Sequence, residues 1–437
     1  MKRYERYKPS KVEWIGEIPE HWEVKKLKRF STVKRGASPR PINDMKYFDE
    51  NGEFAWVRIS DVTASKRYLE DTEERLSDLG ASLSVKMYPD QLFLSIAGSV
   101  GKPIITKIKC CIHDGFVYFP YLKINPEYWY YIFLTGIPFL GLGKLGTQLN
   151  LNTETVGNID MPLPTEDEII NIVNYLDKKT AKIEELIVDK VNLISLLEQE
   201  KELTISNAVT KGLNPDVTMK DSKVKWIGEI PEQWSLRKIS HSFNTIGSGT
   251  TPLTSNSAYY TNGTIPWINT GDLNNDYLFD VNKTVSTFAV EDNTALKIYP
   301  KYSLVIAMYG ATIGKIGITT FDACVNQACC VLAESDYFTL RYIYYWFIAN
   351  KKYIIDLGYG GGQPNISQEI IKSLRIPCPL IEEQEQIVEY LDKKIAETNE
   401  TVQIIKDEIE LLKEYKETLI YEVITGKIDV RGCNETH

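Results

Sequence analysis

Histidine is scarce in this sequence, with only His21, His113, His241 and His437 among 437 residues. Together with the lack of any CxxC pair, that scarcity argues against a metal centre built on histidine or cysteine. The seven cysteines, Cys110, Cys111, Cys324, Cys329, Cys330, Cys378 and Cys433, are odd in number and lack the spacing of a disulfide framework. They read as reduced, mostly buried thiols. No GxxxxGK[ST] phosphate loop occurs, which excludes an ATP-driven motor of that type. No NPPY-like or DPPY-like methyltransferase tetrapeptide and no Gly-x-Ser-x-Gly elbow is found either. No apolar run reaches membrane-spanning length. The richest, Tyr128–Gly143, is broken by Gly136 and Pro138 and predicts a buried helix and turn. The opening MKRYERYKPSKVEWIG lacks the apolar core and cleavage site of a secretory signal, so a cytoplasmic protein is expected. No catalytic site, metal or cofactor is expected on the chain itself.

What the sequence does have is an internal duplication, which organises everything else. VEWIGEIPEHWEVKKL at Val12–Leu27 returns as VKWIGEIPEQWSLRKI at Val224–Ile239, and YLDKK at Tyr175–Lys179 returns at Tyr390–Lys394. LLEQEKELTISNAVT at Leu196–Thr210 likewise pairs with LLKEYKETLIYEVIT at Leu411–Thr425. Between these anchors the likeness is patchy: FAWVRISDV from Phe54 faces IPWINTGDL from Ile265, and KMYP from Lys86 faces KIYP from Lys297. Each half keeps its frame and varies its middle.

The framing segments carry apolar residues at three-four spacing, the stripe of a long helix that packs on another. In the second copy the stripe runs Val388, Leu391, Ile395, Val402, Ile405, Ile409, Leu412, Leu419 and Val423; in the first it includes Val173, Leu176, Ile183, Ile187, Ile194, Leu197 and Ala208. Thr165 and Glu168 fit a capping box at the first start, and Gly212 and Gly426 sit where a left-handed stop is wanted. Each helix spans roughly 45 residues, or about 65 Å at 1.5 Å per residue. The economical partner for each stripe is the other copy, packed antiparallel. ITGKIDV at Ile424–Val430 resembles VTKGLNPDV at Val209–Val217, so the chain behaves as a circle cut at its termini.

The middles, residues 30–161 and 243–376, alternate short Val/Ile/Tyr/Phe-rich segments with Gly, Pro, Asn and Asp, which predicts mixed α/β domains with considerable sheet. The fold class expected is therefore α+β: two mixed α/β domains separated by two long antiparallel helices, a pseudo-twofold, circularly organised repeat. The expected divisions are residues 1–165, helix 166–211, residues 212–380, helix 381–426 and a tail, 427–437.

A net charge of −9 sits awkwardly with a polyanionic ligand until it is located. Residues 1–165 carry 23 basic and 20 acidic side chains, and residues 211–380 carry 15 and 14; the helices and tail hold all the excess acid. Residues 24–40 contain Lys25, Lys26, Lys28, Arg29, Lys34, Arg35 and Arg40 with no acid among them. Their counterparts in the second half are mostly hydroxyls: Thr245, Ser248, Thr250 and Thr251. GATIGK at Gly310–Lys315 and its shorter counterpart GSVGK at Gly98–Lys102 read equally as tight turns or as phosphate-binding nests.

Taken together, the doubled WIGEIPExW opening, the WIxxxDL-like segment, YGATIGKIGI, GGQPNIS at Gly361, the PLPTEDE and PLIEEQEQI helix entries and the doubled YLDKK make the chain resemble the specificity subunits of type I restriction-modification systems. The likeness covers nearly the whole chain. GTQLNLN at Gly146, in place of GGQPNIS, departs from the pattern. The resemblance implies two target recognition domains, each reading half of a bipartite site in double-stranded DNA. It further implies that two methyltransferase subunits dock on the helices and motor-nuclease subunits join them, using S-adenosylmethionine, ATP and magnesium that this chain does not bind. DNA contacts are expected from loop residues: Lys34, Arg35, Arg40, Arg58, Lys66, Arg67 and Lys102 in the first domain, and Ser248, Thr250, Thr251, Asn269, Lys283, Lys315 and Gln363 in the second. Trp14, Trp22, Trp226 and Trp234, kept in both copies, are assigned to packing. The rival readings are a tandem coiled-coil scaffold or protein-interaction protein without nucleic-acid function, and an enzyme with an unrecognised nuclease site.

Overall fold

Pro162 and Pro164 close a strand, Asp160–Leu163, and the chain then enters a helix that runs unbroken from Glu166 to Lys211. A computed structural model describes residues 2–142, 151–358 and 365–432. The helix opens on a capping box: Thr165 N donates to Glu168 Oε2 at 3.0 Å, and Glu168 N donates to Thr165 Oγ1 at 3.4 Å. Glu168 is only 3% exposed, and it also accepts from Trp22 Nε1 at 3.2 Å while His21 Nε2 lies 2.9 Å away. Burial pushes its carboxyl pKa up, but the hydrogen bonds from His21, Thr165 and Trp22 outweigh that and hold it below the usual carboxylate value. The second long helix, Ile381–Ile424, begins beside the equivalent bond from Trp234 Nε1 to Glu383 at 2.9 Å. Both helices stop at a glycine in the left-handed region, Gly212 at φ +77° and Gly426 at φ +73°.

Contacts divide the chain into two compact units, residues 1–190 with 407–437, and residues 191–406. In the first unit, the start of the first long helix runs antiparallel to the end of the second. Lys190 meets Glu408 at 2.6 Å, and Lys416 meets Glu184 at 3.2 Å. Ile169, Ile172, Val173 and Leu176 share one core with Leu419, Ile420, Val423 and Ile424. That core also takes Trp22 and, from the helix Pro126–Leu134, Tyr128 and Trp129. The expected helix and turn in this apolar stretch is present, with Gly136 left-handed before a short Ile137–Phe139 turn.

The first unit's middle contains two sheets. One has five strands in the order Lys34–Arg35, Phe116–Tyr118, Leu92–Ser95, Pro103–Thr106, Tyr68–Leu69, antiparallel except for the last pair. The other has four: Glu74–Leu76, Phe54–Val57, Cys110–Ile112 and Val85–Met87, with Phe54–Val57 and Cys110–Ile112 parallel.

The second unit repeats this plan. Ile205, Ala208 and Val209 from the end of the first long helix pack with Ile387 and Leu391 of the second. Its five-stranded sheet runs Thr245–Ser248, Cys329–Ala333, Leu304–Ala307, Ile316–Thr319, Asp276–Leu278, again with only the last pair parallel. The smaller sheet keeps three strands, Thr284–Val285, Ile265–Ile268 and Cys324–Val325, and a lone Tyr299–Ala323 bridge stands where a fourth would be. The packing role expected of the tryptophans holds: Trp22 and Trp234 are buried, and Trp14 and Trp226 lie half-buried against the two cores. Five cysteines, Cys110, Cys111, Cys324, Cys329 and Cys330, are buried free thiols, and burial raises their pKa values to about 11 or 12.

Candidate nucleic-acid interface

Strand directions decide which loops meet. In the first unit the ends of Lys34–Arg35, Phe54–Val57, Leu92–Ser95 and Cys110–Ile112 lie at the same edge of the two sheets as the starts of Pro103–Thr106 and Phe116–Tyr118. Side-chain contacts tie their loops together. Arg35 donates through Nε to the Asp114 carbonyl, Arg40 Nη2 lies 3.3 Å from Asp114 Oδ2, and Lys102 Nζ donates to the Thr63 carbonyl at 3.0 Å. Gly36 permits the crossing, because a Cβ there would lie 2.2 Å from the His113 carbonyl oxygen. His113 accepts from Gly115 N at 2.8 Å through Nδ1, and burial depresses its pKa, which favours the neutral ring.

Lys34, Arg35, Arg40, Arg58 and Lys66 are all exposed at or beside this edge. The Arg58 guanidinium contacts Glu74 at 2.5 Å. Lys102 is half-buried, and burial lowers its pKa. Arg67 differs from the rest. It faces the long helix, with its side chain 17% exposed and its guanidinium held by Glu127 and Asp177.

The second unit builds the same edge mostly from neutral groups, with Lys283 and Lys315 as its cations. Gly249 crosses where Gly36 does, and a Cβ there would lie 1.6 Å from the Val325 carbonyl oxygen. Ser248 ends its strand and Thr250 follows; the Ser248 carbonyl accepts from Tyr299 and the Thr250 carbonyl from Trp267 Nε1. Thr251 Oγ1 donates to Gln327 Oε1 at 2.6 Å, and Asn326 Nδ2 donates to Asn269 Oδ1 at 3.2 Å. Lys283 is exposed, 6.0 Å from the Trp267 ring centre. Gln363 lies outside the described residues.

The hairpin turns close alike. Ser95 N donates to Lys102 O and Gly101 N to Ser95 O; Ala307 N donates to Lys315 O and Gly314 N to Ala307 O. The first turn is one residue shorter, yet it presents its lysine at the same place.

Register makes the two edges comparable position by position. Arg58 N donates to Asp61 at 2.7 Å, and Asn269 N donates to Asp272 at 2.8 Å, each just past the strand that carries the shared tryptophan. Arg58 and Asn269 therefore occupy one structural position, as do Arg35 and Ser248. Reading single residues missed His113, Asp114, Asn326 and Gln327, which also line this edge. The signal was available, since CCIHDGF at Cys110 and ACVNQAC at Ala323 stand at matching places in the repeat.

Two copies of one fold, each ending in a differently furnished loop edge, define a two-module recognition protein. The family model for the type I restriction modification DNA specificity domain matches residues 19–193 and again 231–411. The chain belongs to that family, whose members act as the DNA sequence-specificity subunits of type I restriction-modification systems. It is 25% identical to a putative type I restriction enzyme MjaX specificity subunit of Methanocaldococcus jannaschii, over 95% of this chain and 96% of that one. It is 26% identical to the EcoR124I/EcoR124II specificity subunit of Escherichia coli, over 47% of this chain and 50% of that one. The fold resembles that of the HsdS subunit from Thermoanaerobacter tengcongensis, at a TM-score of 0.58 and 14% identity, covering 94% and 98% of the two chains. A chain from a study of complex assembly and conformational transition in the type I R-M system gives a TM-score of 0.72 at 14% identity, covering 94% and 99%.

Proposed function

We propose that this chain reads an asymmetric, bipartite DNA site, one half with the loop edge of each unit, and leaves the chemistry to methyltransferase and motor-nuclease subunits assembled on its helices. The observation that carries the reading is the pairing of unlike side chains at matched positions: Arg58 with Asn269, Arg35 with Ser248 and Asp114 with Gln327. Arginine fits the acceptor pair of guanine, whereas asparagine and glutamine fit the donor-acceptor edge of adenine, so the same backbone would read different bases. Lys34, Arg40, Lys66 and Lys102 supply charge for phosphates in the first unit; in the second, Thr250, Thr251, Lys283 and Lys315 share that role with backbone amides.

Apolar side chains left open on the long helices suit partner subunits. Leu186, Val188, Leu411 and Tyr415 are exposed in the first unit, as are Leu193, Leu196 and Leu203 in the second. Among the described residues, no group of three or more His, Cys, Asp or Glu is poised to hold a metal ion. Among those residues, too, no helix is long and apolar enough to cross a membrane. The assembly belongs in the cytoplasm because the DNA it would read is there. Methylation mapping of a genome carrying this chain and its methyltransferase partner tests the proposal. Modified adenines should fall in one two-part motif with unlike halves; a continuous or symmetric motif would overturn it.

A further inference from the structure

Each unit places a guanidinium in the same cage, but the two arginines come from different places in the fold. In the first unit Arg67 stands just before the edge strand Tyr68–Leu69. Its guanidinium carbon lies 5.3 Å from the Tyr68 ring centre and 4.9 Å from those of Tyr130 and Tyr131. Arg67 Nε donates to Glu127 at 2.6 Å and Nη1 to Asp177 at 2.5 Å, and Asp177 also accepts from the Tyr131 hydroxyl at 2.6 Å. Glu127 and the tyrosines belong to the recognition domain; Asp177 is the aspartate of YLDKK on the long helix.

In the second unit the matching tyrosines are Tyr277, Tyr344 and Tyr345, with ring centres 5.5, 4.6 and 4.9 Å from the Arg341 guanidinium carbon. The matching aspartate is Asp392 of the second YLDKK, bonded to both Arg341 and the Tyr345 hydroxyl. Register fixes the equivalences. Tyr68 pairs with Ile105 as Tyr277 pairs with Ile318, so Asp276 occupies the place of Arg67. The buried hydroxyls of Tyr128 and Tyr342 meet corresponding carbonyls, so Arg341 occupies the place of Glu127. The two variable positions are Arg and Glu in one unit, Asp and Arg in the other. The tyrosines and the frame aspartate do not change.

We infer that this cage is a latch: the frame aspartate grips an arginine supplied by the recognition domain from either of two positions, and so fixes the angle at which the domain's loop edge is presented. Arg67 and Arg341 are positioning residues. They act through Asp177 and Asp392, and Arg67 follows directly on Lys66. Desolvation makes the choice of arginine important, because an unpaired charge in a partly buried cage is costly and a forked donor flanked by rings satisfies two acceptors at once. The consequence concerns modularity. A recognition domain exchanged onto this frame works only if it brings a guanidinium at one of the two positions.

The inference rests on the DNA-reading function above, and the test separates the two. The full chain, assembled with its methyltransferase partner, is prepared as wild type, Arg67→Asp, Asp177→Asn, and the double variant Arg67→Asp/Glu127→Arg, which transplants the second unit's arrangement into the first. Two readouts are taken: discrimination between cognate and altered bases in each half-site, and amide exchange around Tyr68–Leu69. Either single substitution should lower discrimination at the first unit's half-site by roughly tenfold, the scale of coupling within a side-chain network, and leave the other half-site unchanged. Exchange at the edge strand should rise. The double variant should restore both readouts, or restore soluble yield where Arg67→Asp alone fails to fold. A double variant no better than Arg67→Asp, or single substitutions that leave both readouts at wild-type level, would overturn the latch. A wild-type assembly that does not discriminate between sequences defeats the DNA reading, and exchange then judges the latch alone.

Discussion

The hydroxyl of Tyr128 lies 3.2 Å from the carbonyl oxygen of Ile424, although 296 residues separate them along the chain. Tyr342 stands in the same relation to Val209, at 3.0 Å. Ile424 and Val209 belong to the last turns of the two long helices, so each unit is completed by the helix end that the other half of the repeat supplies. That exchange is the physical content of the circular organisation.

Removing this contact tests it. Tyr128→Phe leaves the buried carbonyls of Ile424 and Pro162 without their hydroxyl donor and should cost about 1–3 kcal/mol of stability. Denaturant unfolding followed by tryptophan fluorescence measures the loss, and an unchanged midpoint would show that the hydroxyl contributes nothing.

Glu168 predicts an acid limb. Its folded pKa lies below the unfolded value, so its stabilising contribution is complete above the unfolded value and is lost as pH falls through the folded one. Glu168→Gln should lower the melting temperature at neutral pH and flatten its decline between about pH 5 and pH 3. Thermal melts of both proteins across that range compare the slopes.

The loop edges predict unequal salt dependence. Lys34→Ala and Arg40→Ala should each reduce the slope of log affinity against log salt by about 1, with little change in preferred sequence. Thr250→Ala and Thr251→Ala should leave the slope unchanged. Titrations at several salt concentrations decide.

Arg58 and Asn269 should affect opposite half-sites. Arg58→Ala and Asn269→Ala are each expected to remove about 1–3 kcal/mol of discrimination at one base position, in different halves. Binding to duplexes altered one base at a time reads this out directly.

The frame was legible in the sequence because it is duplicated. The paired Trp-Ile-Gly-Glu-Ile-Pro segments, the capping box at Thr165 and Glu168, and the glycine stops at 212 and 426 each express local chemistry that two copies made visible. The antiparallel pairing followed from stripes that needed a partner. The middles were legible only as mixed α/β, because sheet order depends on pairings between distant segments, as when Tyr68–Leu69 joins Pro103–Thr106 in parallel. Charge alone could not separate Arg67 from Lys66. One faces a tyrosine cage on the helix side and its neighbour faces solvent, and that division depends on Glu127 and Asp177, far along the chain. The mostly neutral edge of the second unit was harder still, since Asn326 and Gln327 carry no charge to draw attention and gain meaning only from their match to His113 and Asp114.

Competition binding by the chain assembled with its methyltransferase partner, against a randomised duplex pool at near-physiological salt, tests the central claim most directly. The selected duplexes should converge on two short, unlike motifs at a fixed separation. Retention of all sequences with equal affinity would contradict it.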